Sequence, residues 1–155
     1  FVYESEKGHI FSAGTAEPSG DGARSVWVMT NYANSNPIWQ RYFTGPYDYN
    51  VAGFHVVEPY FSSVLLQGTP VKKIGVSHVR LLDLSSLGRV LNDRSYVEGG
   101  GVEGSSLVAF EGATQKALER YILGNAQMPS SEGQDPRLDG WIESIYKSRR
   151  DSPCQ

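Results

Sequence analysis

The stretch 105-SSLVAFEGATQKALERYILG-124 decides how this chain is read. Ser105 or Ser106 offers an N-cap, and Gly124 offers a C-terminal stop. Between them Leu107, Phe110, Thr114, Ala117, Leu118 and Tyr121 recur at three-to-four spacing. The pattern predicts one long amphipathic helix with an apolar stripe to lay on a sheet. Two shorter helices are expected beside it. Asn36-Pro37 places a cap and a first-turn proline ahead of residues 38–43. Asp83-Leu84-Ser85-Ser86 caps a second short helix around residues 87–91.

Working outward, the rest of the chain reads as strands and turns. Ser25–Thr30 (SVWVMT) is a near-continuous apolar run, as in a strand buried on both faces. Residues 1–3 and 9–11 are short strand candidates, and 14–23 form a loop rich in Gly, Pro, Ser and Asp. Residues 44–50 (TGPYDYN) are a turn cluster. Segments 51–57, 64–66, 71–77 and 79–82 are β-type, broken by Pro59 and by Gly68-Thr69-Pro70. Residues 98–104 read as a Gly-rich loop, 125–137 as a polar connection and 140–146 as a last strand. The expected fold class is α+β: a mixed, mainly antiparallel split β-sheet with a few short helices and one longer helix.

Size and composition fit one hydrophobic core. The chain has 155 residues, 39% of them apolar and 20% charged, so a single domain over 1–155 is expected. It opens on Phe1-Val2-Tyr3, which reads as a strand excised from a longer polypeptide. The net charge of −3, with acidic and basic residues interleaved, argues against a duplex nucleic-acid partner. A small anion held by one or two arginines remains compatible. The lone Cys154 can make neither an internal disulfide nor a metal site, and no metal is expected. No run reaches the roughly 18–20 apolar residues of a membrane span. GxGxxG, P-loop, GxSxG and HExxH patterns are all missing.

Two segments of the second half carry a family pattern. His78-Val79-Arg80-Leu81-Leu82-Asp83-Leu84-Ser85 resembles the R-x-L-D-L-(S/T) strand-to-helix step of RES domains. Asp139-Gly140-Trp141-Ile142-Glu143-Ser144-Ile145-Tyr146-Lys147-Ser148 is similar to that family's D-G-(I/W)-x-Y-x-S strand, preceded by a helix at Ala117-Leu118-Glu119. The resemblance implies an ADP-ribosyltransferase-like fold and cleavage of the nicotinamide–ribose bond of NAD⁺, used as substrate. It also implies a toxin or effector, secreted or delivered into a target-cell cytosol, with an immunity protein or a protein target as partner.

Such chemistry needs a carboxylate beside a developing oxocarbenium ion and an arginine on the pyrophosphate. A stacking ring and an orienting hydroxyl complete the set. On the resemblance, Glu58 and Ser148 are the catalytic candidates, and Arg24 and Tyr32 the substrate-binding ones. Glu98, Glu103 and Glu119 compete with Glu58. Two other function classes stay open: a metal-independent ribonuclease using His9, His55 or His78, and a non-catalytic binding module whose contact surface is the Tyr-rich loop Tyr42–Tyr49.

Overall fold

The computed structural model describes residues 1–5, 7–17, 23–45, 47–57, 61–71, 75–97, 101–111, 118–128 and 137–146. Among them every regular element is a strand. The first sheet is β1 (Val2–Glu4), β2 (Ile10–Ala16), β3 (Ser25–Asn31) and β4 (Pro37–Phe43), paired in that order. The second is β5 (Tyr47–Val57), β6 (Phe61–Pro70), β7 (His78–Ser85) and β8 (Val90–Tyr96), again in chain order. The third has β10 (Leu118–Met128) between β9 (Val102–Glu111) and β11 (Arg137–Tyr146). All pairs are antiparallel.

The α+β expectation, with its ADP-ribosyltransferase-like split sheet, is therefore corrected: among the described residues no helix occurs, the segments 38–43 and 105–124 are strands where described, and 87–91 is the β7–β8 turn and the start of β8. Residues 105–111 belong to β9 and 118–124 to β10, with 112–117 outside the described residues. The three-to-four spacing there is coincidental. The alternation that matters has period two, with Arg120, Ile122 and Ala126 buried against the second sheet. In residues 37–43 the β-branched and aromatic content outweighs the capping signal. Pro37 sits at the first position of an edge strand, where it removes no ladder hydrogen bond. At 85–89 the hydroxyl of Ser85 accepts bonds from the amides of Leu87 and Arg89, so the apparent helix cap closes a hairpin. Gly88, at φ 80°, completes that turn and carries the ring of Trp39 against it.

The second sheet is the middle layer. Val64, Leu66, Leu82 and Leu84 face the first sheet and meet Ala13, Val26, Val28 and Phe43. On the opposite face Leu65, Val79 and Leu81 meet Val102, Ile122, Ala126 and Ile145 of the third sheet. So β6 and β7 are the strands buried on both faces. Strand β3, expected to be so, alternates instead: Val26, Val28 and Thr30 are buried, and Trp27 and Met29 only partly. The segment expected as a strand over 71–77 is irregular where it is described.

Candidate functional site

Arg24 stands immediately before β3, and its guanidinium forms a paired contact with Asp48 at the start of β5. Nε and Nη2 donate to both carboxylate oxygens at 2.6–3.0 Å, and the Arg24 amide adds a bond of 2.8 Å to Oδ1. These bonds hold the Asp48 carboxyl below its ordinary range and raise Arg24 above its own. The fork that would grip a pyrophosphate is thus engaged within the chain.

Tyr32 lies just past the other end of β3, exposed, with its ring edge-on to His9 at 5.5 Å. An extended strand rises about 3.3 Å per residue, which separates Arg24 and Tyr32 by roughly 25 Å of chain. The structure does not bring these two together. Glu58 and Ser148 lie outside the described residues, as does Glu98. Glu103 is an exposed residue of β9, and Glu119 belongs to β10.

The three histidines occupy separate places. His9 leads into β2, and His55, half-buried, faces Ser63 across the β5–β6 ladder. His78 opens β7 and is buried beside two rings of β5: Tyr47 at 4.4 Å edge-on and Tyr49, whose hydroxyl lies 3.4 Å from Nε2. Arg80 covers the Tyr49 ring and makes a bidentate pair with Asp93 of β8. Burial is the main cause that lowers the His78 pKa, with Arg80 adding to it. Tyr47 and Tyr49 are thus packed into the first interface. Of the three tyrosines in the segment Tyr42–Tyr49, Tyr42 is the one largely presented to solvent, at 58% exposure.

A second polar cluster sits between the second and third sheets. Arg120 of β10 donates to both oxygens of Asp83 (2.6 and 3.2 Å) and to the hydroxyl of Ser63, which itself donates to Asp83. Both charged side chains are nearly inaccessible, at 2% and 3%. Gln67 makes a further bridge, accepting from the Gly104 amide and donating to the Val102 carbonyl. Each of these groups is satisfied internally, which marks the cluster as structural. Among the described residues, no three His, Cys, Asp or Glu side chains converge as a metal requires.

A different surface attracts attention on the first sheet. Its outer face carries Val2, Glu4, Ile10, Trp27, Met29, Gln40 and Tyr42, set by the registers Val2↔Ser12, Glu4↔Ile10, Ser12↔Met29, Met29↔Gln40 and Trp27↔Tyr42. Across from Trp27 stands Gly14, and a Cβ there would overlap the indole, so the ring lies flat along the sheet. Val2 is 75% exposed, and the Gln40 amide donates to the Tyr42 hydroxyl at 2.6 Å. The Ser25–Thr30 stretch held this signal as an alternation of aliphatic and bulkier side chains. It was masked because all of them are apolar. The partners Asp48, Asp83 and Arg120 were not foreseen, since a residue 24 or 37 positions away leaves no local trace.

No protein-family model matches the sequence, and comparison with curated proteins finds no relative. Among the described residues no helix is long and apolar enough to cross a membrane.

Proposed function

We propose that this chain is a non-catalytic binding module that contacts a protein partner through the outer face of its first sheet. One observation carries the reading: a sheet face of Trp27, Met29, Tyr42, Ile10 and Val2, whose carboxylate Glu4 stands at the β1 edge opposite Ile10, is left partly or largely open among the described residues. Contiguous apolar patches of this kind mark interaction sites, and aromatic residues and Met are enriched in such interfaces. The polar groups near the sequence candidates support it from the other side. Arg24 is engaged by Asp48, Arg80 by Asp93, and Arg120 by Asp83. The NAD⁺ reading rests on the sequence resemblance alone; Arg24 and Tyr32 stand at opposite ends of β3, and Glu58 and Ser148 lie outside the described residues.

The experiment pairs an oxidative footprint with an activity assay. In a cell extract, Trp27, Met29 and Tyr42 are expected to gain protection, with no nicotinamide released from NAD⁺ by the purified chain. Nicotinamide release that survives Tyr42→Ala, with no protection of the face, would contradict the proposal and restore the NAD⁺-consuming enzyme.

A further inference from the structure

His78 sits where the second sheet meets both of its neighbours, and we infer that it makes this junction an acid-operated joint. Protonation of the ring expels it from between Tyr47 and Tyr49 and frees the start of β7 from β5 and β9. The joint lies on the inner side of the first sheet, so it stands independently of the contact reading above.

The seat of the ring is tight. Tyr47 and Tyr49 stand edge-on to it, with centroids at 4.4 and 5.8 Å. Its register partner on β6 is Gly68, where a Cβ would come within 2.6 Å of the imidazole. With 6% of the residue exposed, a charged ring here is poorly hydrated. The Tyr49 hydroxyl, 3.4 Å from Nε2, suits a neutral ring that can accept there. A second ring proton makes both nitrogens donors and sets a cation two residues from Arg80, on the same face of β7.

The backbone around His78 ties this seat to both interfaces. The Ser77 carbonyl accepts the Val102 amide of β9 at 2.8 Å. Gln67 of β6 donates to the carbonyls of His78 (3.3 Å) and Val102 (3.0 Å). On the other side Tyr49 belongs to the first core, and its amide donates to the Arg24 carbonyl at 3.2 Å. A ring that leaves its seat therefore disturbs contacts with the first sheet and with the third.

The surrounding charges set the direction. Among the described residues, Arg80 covers Tyr49 and is paired with Asp93 of β8. The Arg24–Asp48 pair, with Glu17 near Arg24, flanks the tyrosines of β5. Glu103 of β9 alternates outward from Val102 and is exposed. Asp48 and Asp93 are held below the ordinary carboxylate range by their arginines, so neither is neutralised as the pH falls from 8 to 5. Burial, with Arg80 adding to it, opposes a proton on the folded ring against the pull of the Val76 carbonyl. The proton therefore enters as the joint opens, and the open state gains as the pH drops below the unfolded value of about 6.5.

The test is amide hydrogen exchange of the purified chain between pH 8 and pH 5, with rates corrected for intrinsic exchange. Protection of the Tyr49 and Val102 amides should fall about tenfold per pH unit below about 6.5, one proton entering with each opening. At every pH it should stay below that of Leu65 and Leu82, which open with the whole chain. His78→Gln, neutral throughout, should lack this slope. A slope that persists in His78→Gln, or wild-type protection of Tyr49 and Val102 that does not change with pH, would overturn the joint. Protection equal to that of Leu65 and Leu82 throughout would overturn it too, because the ring would then leave its seat only on global unfolding.

Discussion

The two interfaces of the middle sheet make an instructive pair. Toward the first sheet the fully buried centre is apolar, with Val26 and Val28 against Leu66, Leu82 and Leu84. Toward the third sheet an equally apolar cluster surrounds a buried carboxylate–guanidinium pair and a bridging glutamine. Aliphatic burial is non-directional and tolerates a sliding partner. A paired charge tolerates very little, because each group is costly unless its own partner is in place. The difference teaches that the second interface fixes which residue of the third sheet stands over which residue of the second. The first carries its directional contacts at its rim, where Arg24 pairs with Asp48 and the Trp39 indole donates to the Ser86 carbonyl, and relies on shape at its centre.

The largest effect should come from breaking the buried pair. Asp83→Ala removes the carboxylate that pairs with the buried Arg120 charge, at a cost of about 3–5 kcal/mol in urea unfolding. Replacing both partners, Asp83→Leu with Arg120→Met, should recover most of that loss. A double variant as unstable as the single one would contradict the account of the pair as a specifying element. Next in size, Leu81→Ala and Leu82→Ala delete equivalent side chains on the two faces of β7, both fully buried. Each should cost about 2–5 kcal/mol. A marked inequality would mean that the apolar parts of the two interfaces are not alike.

Smaller effects probe the first interface alone. His78 is buried there against Tyr47 and Tyr49, with Arg80 on the same strand, and its pKa is lowered in the folded chain. A lowered value means that the folded state resists protonation. Its contribution is fully present above the unfolded value of about 6.5 and is lost as the pH falls below it. Urea midpoints at pH 8 and pH 5.5 should therefore differ more for the wild type than for His78→Gln. An equal difference would remove His78 from the acid sensitivity. The smallest change expected is a gain. The Thr30 hydroxyl is buried with no hydrogen-bond partner among the described residues, so Thr30→Val should stabilise by about 1 kcal/mol, seen as a raised melting temperature.

The legibility of this molecule varied along the chain for reasons visible in single residues. Segments 25–30, 51–57 and 140–146 were readable as strands because β-branched and aromatic residues outweigh competing signals there. The long segment 105–124 was misread. An apolar set of mixed spacing satisfies a helix template, and only the central sheet above it selects period two by burying Arg120 and Ile122 together. Ser85 was misread similarly, since the same hydroxyl can cap a helix or close a turn. The site fared less well than the fold. Arg24 was singled out, yet its engagement by Asp48 depends on the β3–β5 approach, which no local pattern encodes. The outer face of the first sheet was hidden because Trp27 and Met29 are as apolar as the core residues beside them.

Amide hydrogen exchange, followed residue by residue, tests most directly the claim that the second sheet is the buried middle of a three-sheet stack. The slowest amides should lie at Leu65, Leu66, Leu81 and Leu82, opening only with global unfolding, and those of the edge strands β4 and β8 should exchange far sooner. A slowest set running through consecutive residues of 105–124, the signature of a protected helix, would contradict the account.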